Sequence, residues 1–190
     1  MPHKIDSDGH VWIYRLSIVL CFILFAAVVR ILPHPWNFTP VGAMALFSGA
    51  KLGRSWRAFL FPLIALLAGD LFVGFHRLMP IVYFSFCVSV LIGIAFCHRQ
   101  TLKPLSLATF FGALQFFLVT NLALWAISDY YPHTISGLAA CYIAGIPLFG
   151  NTLASDACYA LLFFGGFWLV ERFSPALRGR EWPASPGYGD

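Results

Sequence analysis

The sequence predicts an all-α membrane protein, a single bundle of six transmembrane helices. Three observations carry that reading. Of 190 residues, 59% are hydrophobic and only 11% charged, with a mean hydropathy of +0.78, whereas a soluble domain carries roughly 25% charged residues. The apolar residues fall into runs near the roughly 20 residues needed to cross a bilayer. The basic residues cluster between particular runs rather than being spread evenly. Together these exclude a cytosolic enzyme, a nucleic-acid-binding domain and a disordered regulator.

The runs can be taken in order. A polar leader, 1–11, leads without a small-residue cleavage pattern into a first span at 12–32, so it is expected to stay attached. The proline-rich segment 33–40 stops that span, because proline cannot continue a helix and restrains the residue before it. A shorter, small-residue-rich second span follows at 41–52, then spans at 57–75, 80–97 and 105–127. Residues 136–149 are apolar but short and contain Gly145 and Pro147, which predicts a separate interfacial or re-entrant helix. The sixth span is placed at 152–170, closing a membrane domain at 12–172. The tail 173–190, rich in proline and glycine, is expected to be disordered.

Charge orients this arrangement. With six spans and both termini cytoplasmic, one side carries Lys4, Arg15, Lys51, Arg54, Arg57, Arg99, Lys103, Arg172, Arg178 and Arg180, and the other only Arg30 and Arg77. That segregation follows the positive-inside rule for a multi-pass membrane protein in contact with lipid. The external segments are then 33–40, 76–80 and 128–150. They carry Trp36, Phe38, Met79, Tyr130, Tyr131, Tyr142 and Phe149. Aromatic residues belong at a membrane interface in any case; three apolar external segments also suggest a lid over a cavity.

Four groups of residues hold candidate chemistry. Asp70 and Asp156 are placed near the outer ends of the third and sixth spans, and a carboxylate at such depth must find a partner or water. Asn121, Asn151 and Thr152 lie at comparable depth, either as a site open to the outside or as hydrogen bonds tying helices together. His34, His76 and His133 fall one in each external segment, without a metal-ligand spacing. Of five cysteines, Cys21, Cys97 and Cys158 read as core residues and Cys141 sits in the last external segment. Cys87 lies about two turns into the fourth span behind Tyr83, as a core residue or as a soft metal ligand. The stripe Ala45, Gly49, Gly53 permits close helix approach, within the chain or with another subunit. No Walker A loop, HExxH, GxSxG or inverted repeat is found.

The stretch from Arg30 to Ala50, RILPHPWNFTPVGAMALFSGA, together with FPLIALLAGD ending at Asp70 and IPLFGNTLASD ending at Asp156, resembles the substrate-binding S-components of energy-coupling factor (ECF) transporters. The resemblance runs from about Arg15 to Arg172. It implies six helices, an outward cavity under the first, third and fifth loops, and a separate ECF module of coupling subunit and ATPases. Within that group the chain is most similar to the BtuM-type, cobalamin-specific S-components. These are associated with a cysteine that ligates the corrinoid cobalt and supports decyanation of cyanocobalamin; Cys87, in YFSFCVS, matches it. The cobalamin-contacting set that follows is Cys87, Tyr83, His34, Trp36, Asn37, Asp70, Tyr131, Asn151 and Asp156. Two alternatives stay open: uptake of another vitamin or of a transition-metal ion through His34, His76 and His133, and a membrane-embedded enzyme with Asp70 and Asp156 as paired acid and base.

Overall fold

The structure, a computed structural model, describes residues 3–32, 35, 37–97 and 101–173. Among them are six α-helices and no strand: α1 (His3–Ile31), α2 (Val41–Leu52), α3 (Trp56–Val73), α4 (Met79–Phe96), α5 (Leu102–Ile127) and α6 (Ile135–Phe173). Three of these, α4, α5 and α6, are long and apolar enough to cross a membrane.

The connections and side-chain contacts give an up-and-down order. Ser48 on α2 donates to the Ala58 carbonyl on α3 across the short turn between them (2.8 Å). α4 and α5 run antiparallel, with Phe86 beside Phe116 and Phe96 beside Phe111. α5 and α6 do the same: Tyr142 donates to the Leu118 carbonyl (2.8 Å), and Phe149 packs on Phe117. α2 and α6 run parallel, since Ala43, Phe47 and Lys51 meet Asp156, Phe163 and Phe167 in that order.

α2 is the hub. Its 12 residues span only about 18 Å, short of a hydrocarbon core of about 30 Å, yet it packs against all five other helices. Phe47 is fully buried and meets Phe22, Phe163, Phe164 and Phe167 with centroids 5.3–5.8 Å away, mostly edge-to-face. In lipid, where burial itself drives little, such contacts and close backbone approach hold helices together. The closest approach is between α2 and α4. A Cβ on Gly49 would strike the Val90 carbonyl, and one on Gly93 would strike the Leu46 carbonyl. The small-residue stripe is thus an internal contact at Gly49, while Gly53 ends the helix with φ 60°.

Two expectations change. Residues 136–149 are no separate interfacial helix: they form the first part of a continuous, 39-residue α6. Gly145 and Pro147 carry local helix penalties of ~1 and ~3 kcal/mol, but packing along α5 holds this stretch in register. Gly145 is what lets α6 approach, because a Cβ there would meet Asn121 and Phe117. At about 1.5 Å per residue, α6 extends well beyond a single bilayer crossing. Helix α1 also starts at His3, inside the segment read as a leader. The tail assigned to disorder, from 174 onward, lies outside the described residues.

Candidate functional site

The two carboxylates expected to share a depth are each bound elsewhere. Asp70, four residues before the α3 C-cap Gly74, is 2% exposed. Its Oδ2 accepts a hydrogen bond from the Tyr83 hydroxyl on α4 (2.9 Å). Pro80 sits in the first turn of α4, where its missing N–H costs nothing, and starts the helix one turn before Tyr83. Cys87 follows Tyr83 by four residues and therefore lies on the same face of α4, half-buried. Asp70, Tyr83 and Cys87 are the part of the expected set that the fold gathers along one edge.

Asp156 has a different position and a different partner. It lies deep inside α6, well past its first turns, and not near its start. Its Oδ1 accepts from the Ala43 backbone N–H (3.1 Å), in the first turn of α2. The N-cap of α2 is Pro40, whose side chain cannot accept, so α6 supplies the cap in its place. The carboxylate also meets the positive end of the α2 dipole. Gly42 makes room for it, since a Cβ there would collide with the carboxylate. Next to it, Ser155 donates to the Thr39 carbonyl (3.2 Å). Asp156 is thus a clamp between helices.

The remaining expected residues scatter. His34 and Trp36 lie outside the described residues. Asn37 is exposed in a left-handed turn, φ 59°. Tyr131 is half-exposed in the turn between α5 and α6, and Asn151 is half-buried within α6. Of the aromatic lid, Tyr142 and Phe149 belong to α6 and pack on Phe117, and Phe38 packs near Tyr159. His76 is exposed, and His133 stands edge-on to Trp125. Among the described residues no three His, Cys, Asp or Glu side chains are grouped so as to hold a metal ion. A cavity of about 260 Å³ lies between α5 and α6, and none of the expected site residues lines it.

The sequence reading missed a polar cluster between α4 and α5. Ser85 donates to Gln115 Oε1 (2.9 Å), and Gln115 Nε2 donates to the Ser85 carbonyl and to Ser89 Oγ (3.0 Å each). The signal was present: serines four apart on one helix, facing a long amide in the middle of the next. Lys51 was also read only as one of the cytoplasmic-side charges. It is 6% exposed, with its ammonium 3.8 Å from the centre of the Phe167 ring.

No curated protein and no solved structure matches the chain. Residues 12–177 match the model of a family of unknown function, DUF6580, and the chain belongs to that family.

Proposed function

We propose that this chain is a six-pass bacterial inner-membrane protein with both termini cytoplasmic, acting as the substrate-binding subunit for cobalamin uptake with an ECF module. The sequence resemblance to S-components supports the class. The observation that carries the site is the Asp70–Tyr83 hydrogen bond with Cys87 one helical turn further along α4. A half-buried thiol beside an anchored phenol and carboxylate presents a soft ligand at the edge of a polar group. That chemistry suits a corrinoid whose cobalt takes the sulfur and whose amide rim takes hydrogen bonds. Decyanation is then a ligand exchange: the Cys87 thiolate bonds to cobalt(III), cyanide leaves with its electron pair, and cobalt keeps its oxidation state. Asp156 belongs to the scaffold in this reading, so ligand contact rests on the α3–α4 edge.

The test is an absorbance spectrum of the protein purified from cells fed cyanocobalamin. A bound corrinoid with visible bands shifted by thiolate ligation is expected, and the shift should vanish in Cys87→Ser. Protein free of corrinoid would remove the cargo assignment; an unchanged spectrum in Cys87→Ser would remove the ligation.

A further inference from the structure

We propose that the groove between α5 and α6 binds an anionic phospholipid, with an acyl chain in the groove and the phosphate at the start of α5. The groove is the cavity of about 260 Å³, walled by Leu102, Leu105, Thr109, Leu153, Ala157 and Leu161. Leu102 and Leu161 are exposed at its rim. Its hydroxyls face inward to backbone: Ser106 and Thr109 donate to the Leu102 and Leu105 carbonyls one turn back (2.9 Å each). The wall is therefore apolar in effect, and Ala157 leaves it wide enough for a chain.

The mouth of the groove is polar and positive. α5 begins there, and its N-cap Thr101 makes no side-chain capping bond. Its first turn carries no acidic residue, and Pro104 offers no N–H, so the outward donors are the amides of Leu102 and Lys103. Lys103 is exposed in that same turn, beside the positive end of the helix dipole, where a lysine is unfavourable without a nearby anion. Across the groove, α6 continues past α5 with Trp168 and Arg172 on the face that carries Ala157 and Leu161. Trp168 is exposed, and the Arg172 guanidinium lies 5.4 Å from its ring. That pairing suits a membrane interface, with an amphipathic ring and a long basic side chain reaching to headgroups.

The occupant follows from charge. Next to Arg172 in sequence stands one acid, half-buried Glu171. The up-and-down packing also brings Lys51, Arg54 and Arg57 to this end of the bundle. Cations and a helix N-terminus at one end of an apolar slot match a phosphodiester with its tail. A packed helix would bring neither the anion nor an asymmetry of that kind.

The inference is independent of the cargo. Its test is native mass spectrometry of the purified chain titrated with dioleoyl phosphatidylglycerol and, separately, dioleoyl phosphatidylcholine. Phosphatidylglycerol should be retained more strongly, and that preference should fall about fivefold for each basic side chain removed in Lys103→Gln and Arg172→Gln. Ala157→Phe, on an exposed position, should fill the groove and weaken retention of both lipids while leaving the melting temperature in detergent unchanged. Equal retention of the two lipids by the unmodified chain would overturn the proposal. So would an Ala157→Phe variant that keeps its lipid, or one that keeps its lipid and instead loses a co-purifying membrane subunit, which would give the groove to a partner helix.

Discussion

The Asp156 carboxylate on α6 accepts a hydrogen bond from the backbone N–H of Ala43, 113 residues away in sequence, and so caps the central helix α2 from outside. A side-chain cap is worth ~1 kcal/mol in water. Here Asp156 is 3% exposed, so a replacement that cannot accept leaves an amide without its partner away from water, at a further cost of ~1–3 kcal/mol.

Asp156→Ala should therefore lower the melting temperature in detergent markedly, and Asp156→Asn, which still accepts, much less. Gly42→Ala should resemble Asp156→Ala, because its Cβ displaces the carboxylate. If Asp156→Asn proved as damaging as Asp156→Ala, the negative charge rather than the hydrogen bond would be the stabilising feature.

The α2–α4 contact makes a second prediction. Gly49→Ala and Gly93→Ala push a methyl group into the facing carbonyls of Val90 and Leu46, which forces the backbones apart. Overpacking of this kind costs ~1–3 kcal/mol. Gly150→Ala and Gly165→Ala, where a Cβ meets nothing within 4 Å, should instead stabilise by ~0.5–1 kcal/mol through helix propensity. Thermal unfolding of the four variants side by side checks the sign at each site.

These cases show what was legible in the sequence. Four of the six helices, α2 to α5, lie within a few residues of their expected bounds, and α1 ends where expected, because hydropathy and the prolines at 33–40 are local signals. The merging of 136–149 with the last span was not legible. Pro147 is a local breaker, whereas the support from Asn121 and Phe117 on α5 is tertiary. The two aspartates looked equivalent for the same reason. Each is a lone carboxylate in an apolar run, and only the fold sends Asp70 to a phenol and Asp156 to a helix N-terminus. Gly42 could be read only with that carboxylate in view.

The Asp70–Tyr83 bond separates structure from binding. Tyr83→Phe removes one interhelical hydrogen bond to a buried acceptor, a loss of ~0.6 kcal/mol and at most ~1.7 kcal/mol within a membrane bundle. Stability should fall in Tyr83→Phe and in Asp70→Asn. Cys87→Ser, one turn away and outside this bond, should leave the stability within about 0.5 kcal/mol of the unmodified protein. A corrinoid spectrum altered in Cys87→Ser at unchanged stability would assign the sulfur to the ligand. A parallel loss of stability would place it in the packing.

Gln115 offers the cleanest measurement of a hydrogen bond within this membrane bundle. It joins Ser85 and Ser89 through three bonds, and both serines are buried. Interhelical hydrogen bonds in membrane proteins average only ~0.6 kcal/mol, with a maximum of ~1.7. The reference state in lipid finds partners too, so the low figure should hold for the Ser85 pair. Gln115→Ala should nevertheless cost more than that, because it also strands the Ser89 hydroxyl's acceptor role and opens a void between α4 and α5. The double-mutant cycle with Ser85→Ala isolates the pair from the void, since both single variants carry the void or the lost hydroxyl separately. A coupling of ~0.6 kcal/mol is expected. A coupling near zero would mean that Gln115 holds α4 through the Ser85 carbonyl and Ser89 alone, and Ser89→Ala should then show the missing energy.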